Sequence, residues 1–353
     1  MTRLCENATR ASKEVKAIHA TVSSHRSVAG RRRSSHATIL LTLACAAGCA
    51  DGQEGEGIPP ELEDIPLARA GDGGPRVLAA YASRDGFDSL PAPRSGDWRL
   101  GPGRDEEPQS FLDYAASSPV RATEEQTRIV LVPIGSMGER GDEILSSMRR
   151  YGEIFFGCRV DVGEAAALPE KGRRVREDGR HRWSQHLTGV LMEEVLIPRL
   201  PRDAIVLLGI TMADLYPDPD WNYVFGQANL RRRVGVYSLV RYAPEFWGEE
   251  DTPEARSQTL RRACQVFAHE TCHMFSMEHC LHFSCAMNGS NSLDESDRQP
   301  LWLCPVCASK LSWNRGLDPL ARYRGLAGFF REVGLEEIAL WHEKRAEALA
   351  ANR

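Results

Sequence analysis

The chain has 353 residues, enough for one large domain or two small ones. Hydrophobic residues at 42% and charged residues at 26% are ordinary globular values, which excludes wholesale disorder and collagen-like repeats. A net charge of -5 argues against a nucleic-acid partner held by bulk electrostatics, and no run of 18 apolar residues offers a transmembrane helix.

Residues 1–36 are basic and polar and carry no apolar periodicity, so no element is assigned there. Arg31-Arg32-Arg33, an apolar run from Ala37 to Ala47, and Ala46-Ala47-Gly48-Cys49 together have the layout of a secretory signal. Cys49 stands where the lipobox of bacterial lipoproteins places its lipidated cysteine. This predicts a lipid-anchored protein of the bacterial cell envelope, with a chance apolar patch in a cytoplasmic protein as the alternative. An overlong start, with Val28 a candidate true start, would account for a signal so far into the chain. Residues 1–49 are therefore read as a basic tail and signal, and 50–85, rich in Gly, Pro and acidic residues, as a flexible linker.

The folded body is expected over 86–345, with 346–353 as a tail. Thr127-Arg-Ile-Val-Leu-Val-Pro-Ile-Gly135 reads as a buried strand, and Asp142 to Phe156 has helical apolar spacing. Cys158 to Val162 suits a second strand. His181 to Leu200 reads as an amphipathic helix with Trp183, Leu187, Val190, Leu191, Val195 and Leu196 on one side. Asp203 to Thr211 is a third strand, Asn222–Phe225 and Gly235–Val240 are a fourth and fifth, and 229–233 is a polar turn between them. Strands alternating with helices predict an α/β (α+β) fold built on a mixed sheet. Leu317 to Leu349 is helical and expected to pack on the body.

The chemistry concentrates in His269-Glu-Thr-Cys-His-Met-Phe-Ser-Met-Glu-His279, which follows a helical run from Pro253. His269 and His273 are four apart, so on a helix both rings leave from one side and can share a metal ion. Glu270 is placed to reach a water at that metal rather than the metal itself. H-E-x-x-H alone arises by chance; His279 adds a third nitrogen if the helix ends near Phe275, leaving the fourth position open as a catalytic zinc requires. Cys280, Cys285, Cys304 and Cys307 form two short-spaced pairs. They fit a closed tetrahedral zinc, against two disulfides or a redox C-x-x-C as competing readings.

With its order H-E-x-x-H, His279-Cys280, Cys285-Ala-Met287 and Cys304-x-x-Cys307, the chain resembles the archaemetzincins, zinc metallopeptidases of the metzincin clan. Gly209-Ile-Thr-Met-Ala-Asp-Leu-Tyr216, Val224-Phe-Gly226, Gly235-Val-Tyr-Ser238 and the segment from Met287 to Leu301 carry the same resemblance, which spans roughly 86–345. It implies a metzincin-like zincin fold with a mostly parallel twisted sheet, an active-site helix and a small C-terminal subdomain stabilised by zinc. It implies catalytic zinc on His269, His273 and His279, Glu270 as general base, structural zinc on Cys280, Cys285, Cys304 and Cys307, and Met287 as the Met-turn residue. The resemblance implies a hydrolase acting on peptides or proteins; the protein is expected to be a monomer that meets a membrane only through an N-terminal lipid at Cys49. The alternatives are an inactive zinc-bound peptide binder and a zinc-ribbon interaction module. One departure is Ser276, where metzincins usually have Gly because the helix exit needs positive φ.

Other residues near the motif receive structural readings. Cys264, Cys272 and Cys158 are read as core, His282 as a solvated loop histidine, and Glu278 as an exposed carboxylate. Asn288-Gly-Ser290 has glycosylation form but lies inside the expected zinc subdomain, so it is discounted.

Overall fold

The computed structural model describes residues 78–101, 106–177 and 181–351, so the expected signal and Cys49 lie outside it. Its centre is a five-stranded sheet in the order β2-β1-β5-β8-β7. These strands are β1 (Arg128–Ile134), β2 (Val160–Val162), β5 (Ala204–Thr211), β7 (Gly226–Asn229) and β8 (Val234–Ser238). All pairings are parallel except β7 against β8, so the edge strand alone runs the other way. Every residue of β5 is buried, as expected for a strand covered on both faces.

Alternation along the strands sorts side chains into two cores. Ile129, Leu131, Val206 and Leu208 face one core with Leu145, Met148 and Phe267 from two long helices, α2 (Gly138–Phe156) and α3 (Pro253–Met274). Val130, Val132, Leu207 and Val236 face the other, where Leu191, Val195 and Leu196 of a helical run over 188–199 cover them. A shorter α1 (Phe111–Ala116) opens on a capping box between Ser110 and Asp113. The C-terminal part adds α4 (Leu293–Asp297), α5 (Pro305–Arg315), α6 (Pro319–Glu332) and α7 (Glu336–Ala351). Gly334, at φ 75°, breaks the expected single helical stretch into α6 and α7, which pack on each other and on the main core.

Two element expectations need correction. The helix read over His181 to Leu200 is a strand in its first half: β4 (Arg182–Leu187) pairs with β3 (Arg173–Glu177) and β6 (Asp214–Tyr216) in a second sheet. The reason is a buried polar cluster in which Asp214 accepts hydrogen bonds from Trp183 Nε1 (2.9 Å), Gln185 Nε2 (2.6 Å) and the Arg241 guanidinium (2.7 Å). Trp183 and Gln185 both serve it from one extended strand. The helix begins only at Thr188 and winds as a π-helix over Leu191–Leu196. The fourth strand is also displaced: Val224 makes only an isolated bridge to Leu215, and β7 lies over Gly226–Asn229 instead.

The folded body also reaches into the stretch read as linker. Tyr81 is buried, with its hydroxyl 3.0 Å from Ser312 Oγ, and Ala346 is buried beyond the expected C-terminal limit. Among the described residues no helix is long and apolar enough to cross a membrane.

Candidate active site

Helix α3 starts with Thr252 as N-cap, its hydroxyl accepting from the Ala255 amide, and Pro253 in the first turn. From Ala263 onward it is buried on all sides, so His269, Glu270 and His273 leave it within the protein interior. His269 Nδ1 donates to the Ala286 carbonyl (2.8 Å) and His273 Nδ1 to the Met277 carbonyl (2.7 Å). A carbonyl only accepts, so the proton sits on Nδ1 and each Nε2 carries a lone pair. Those two Nε2 atoms face each other at 3.0 Å. Two lone pairs held that close need a shared cation, and this is the arrangement a metal ion would fill. Burial, followed by the neighbouring His269 and His279, holds the pKa of His273 well below the usual imidazole range, so its ring is neutral.

The helix ends at Phe275 as anticipated, and the chain turns back through Ser276 at φ 69°. Serine therefore takes the left-handed conformation usually left to glycine. The turn brings His279 to ring distances of 5.3 Å from His269 and 4.7 Å from His273. Its Nδ1 lies 3.0 Å from a Glu106 carboxylate oxygen, and the Trp98 ring packs 4.3 Å away. A donor atom of each of the three histidines falls within 4.8 Å of the others.

Glu270 and His269 line a crevice of about 20 Å³ with Phe225, Tyr242, Gln265 and Ser290. Phe225 stacks on Tyr242 at 5.0 Å, forming its aromatic wall. Burial and then the charge of Glu270 push the Tyr242 hydroxyl above its ordinary range, so it remains protonated.

The four cysteines form the second cluster. Cys280, Cys285, Cys304 and Cys307 are buried with sulfurs within 4.8 Å of one another, and none is disulfide-bonded. The Cys280 and Cys304 sulfurs are 3.6 Å apart, and the Cys304 amide donates to Cys285 Sγ (3.2 Å). Four thiols converging on one centre fit a tetrahedral soft cation. Asn288 holds their loop: its Oδ1 accepts from the Cys285 amide (2.7 Å), and its Nδ2 donates to the Cys280 (2.7 Å) and Phe283 (2.9 Å) carbonyls. Met287 is fully buried in the same turn, and its carbonyl accepts from the Cys280 amide (2.8 Å).

A model of peptidase family M54 matches residues 199–313. Archaemetzincin-2 of Homo sapiens is 33% identical over 278 residues, covering 70% of this chain and 76% of its own. The chain belongs to the archaemetzincin family. Archaemetzincin-2 of Mus musculus is 31% identical, covering 71% of this chain and 77% of its own. A crystal structure of an archaemetzincin from Methanopyrus kandleri aligns at 27% identity with a TM-score of 0.43, over 55% of this chain and 98% of that one. As an archaemetzincin the protein is a zinc metallopeptidase, hence a hydrolase.

The remaining archaemetzincin residues singled out above fall as follows. Cys264 and Cys272 are buried outside both clusters, Cys158 is half-buried, and Glu278 is exposed. His282 is half-buried with Nε2 3.3 Å from the Gln109 carbonyl. The sequence reading gave no role to Trp98, Glu106 or Gln109, and missed the clamping role of Asn288. The first three lie at least 160 residues before the motif, beyond the reach of any local pattern.

Proposed function

We propose that the chain cleaves peptide bonds in peptides or proteins with Glu270 as general base and zinc on His269, His273 and His279. A second zinc, on Cys280, Cys285, Cys304 and Cys307, is structural in this reading. The observation that carries it is the convergence of three imidazoles, two with Nδ1 satisfied by backbone carbonyls and one by Glu106. When bound, zinc supplies Lewis acidity toward a scissile carbonyl and draws the pKa of a water toward neutrality.

Glu270 lines the same crevice as His269 and is largely shielded from solvent. It accepts the proton of the attacking water and returns it to the leaving amine. The carbonyls of Ala286 and Met277 keep His269 and His273 in the tautomer that presents Nε2. The cysteine cluster braces the turn, because Cys280 follows His279 directly and Asn288 ties it down.

Metal content of the full chain tests this reading. Wild type should carry one zinc in each cluster; His273→Ala should lose the first alone and Cys304→Ser the second. Glu270→Gln should keep both and lose about 100- to 10,000-fold in turnover of a peptide panel. A zinc that survives His273→Ala but not Cys304→Ser, with nothing else bound, would leave only a ribbon. Both metals bound in wild type with no peptide shortened would leave a binder.

A further inference from the structure

The histidines are supported unequally. His269 and His273 sit on one helix and donate to main-chain carbonyls, whereas His279 lies beyond the helix and faces a side-chain carboxylate. That carboxylate comes from residue 106; the described residues 98–101 and 106–120, together the strap, lie wholly upstream of the segment matching the family model. The strap meets four polar groups of the exit turn. Tyr114 Oη donates to the Phe275 carbonyl (2.8 Å), and Gln109 Nε2 donates to the Ser276 carbonyl (3.3 Å). The Val120 amide donates to Ser276 Oγ (3.1 Å), and Gln109 Oε1 accepts from the Glu278 amide (3.2 Å). Lys310, itself buried, fixes Gln109 by donating to the same Oε1 (3.0 Å).

Trp98 closes the other side. Its ring lies against His279, and a side chain at Gly289 would strike that ring at 2.3 Å, so the indole rests on the backbone just past Met287. Its amide donates to the Glu295 carboxylate (2.9 Å), which keeps the strap in place. His279 is thus held between an indole and a carboxylate, both from the strap.

We propose that Glu106 is a positioning residue for the reaction: by accepting the Nδ1 proton of His279 it selects the tautomer and aims Nε2 at the metal. Trp98 sets the plane of the ring. A carboxylate also makes the imidazole a stronger donor than a carbonyl does, which offsets the looser anchoring of a residue outside the helix. This inference rests on the zinc reading above.

Chelator competition on the full chain tests it, with metal release followed for wild type, Glu106→Ala, Glu106→Gln and His273→Ala. His273→Ala identifies which zinc is held by the histidines. Glu106→Ala should weaken that zinc by roughly 10- to 100-fold, with the cysteine-held zinc unchanged. Glu106→Gln, whose amide oxygen still accepts, should recover part of the loss. Cobalt placed in the histidine site should show altered visible bands in Glu106→Ala, and kcat should fall with KM unchanged. Because the Glu106 side chain is 37% exposed, folding should persist, and Glu106→Gln carries the measurement if the alanine variant does not fold. Identical release curves for wild type and both Glu106 variants would overturn the role of Glu106 while leaving the zinc reading intact. A wild type with no zinc that His273→Ala removes would overturn both.

Discussion

Ser276 shows how one strained residue is tolerated at a working site. A left-handed backbone costs a non-glycine residue about 1–2 kcal/mol, and a hydrogen bond returns about 0.5–1.5 kcal/mol. The bond from the Val120 amide to Ser276 Oγ therefore offsets most of the strain at φ 69°. Ser276→Gly removes both terms and should stay within about 1 kcal/mol of wild type in denaturant unfolding. Ser276→Ala keeps the strain, loses the bond, and should be less stable by about 1–2 kcal/mol. An alanine variant as stable as wild type would mean that the Val120 contact contributes nothing. The sequence identifies Ser276 as a departure at a glycine position. It cannot reveal the remedy, which comes from 156 residues upstream.

At the scale of elements, the placement of the active-site helix depends on how closely α2 approaches it. Gly152 lies in α2 where an added Cβ would stand 2.5 Å from Phe267 of α3, and Phe267 is fully buried. On an exposed helix, Gly→Ala gains about 1 kcal/mol; here overpacking, at about 1–3 kcal/mol, opposes it. The clash is with a ring already packed against Tyr151 and Phe156, so it should win. Gly152→Ala should lower the thermal midpoint, and an unchanged or raised midpoint would show that α2 and α3 can separate freely. Periodicity found α2 and α3 because each buries a regular apolar face. It misread β4 because Trp183 and Leu187 mimic helical spacing, while the cause of the strand is Asp214 on another element.

For the whole molecule, the C-terminal helices add a pH dependence. His342 on α7 is fully buried, with Nδ1 2.8 Å from the Ile338 carbonyl and the rings of Trp302, Tyr323, Phe330 and Trp341 around it. Burial, against the Ile338 hydrogen bond and helped by Arg322, lowers its pKa to about 3. The unfolded chain then binds this proton near the ordinary imidazole value of about 6.5, while the folded chain does not until about 3. Stability is thus intact above that unfolded value and falls as the pH drops through this window, by at most about 1.4 kcal/mol per pH unit. His342→Leu should flatten this part of the acid limb in denaturant unfolding measured from pH 7 to pH 4. Equal slopes for the two proteins would refute the assignment. Trp302 stands two residues before Cys304, so this aromatic cluster joins the helical pair to the cysteine subdomain.

What the sequence alone determined is what short spacing encodes. Two histidines one turn apart, a third beyond the helix end, two cysteine pairs, and apolar runs such as that over 129–132 each express their geometry within a few residues. Tertiary structure alone decided the order of the strands, the second sheet gathered around Asp214, and the strap that brings Trp98, Glu106 and Gln109 to the third histidine. Those pairings join groups far apart along the chain, and their energy is gained only after the chain has folded back, so no local pattern of residue types carries their record.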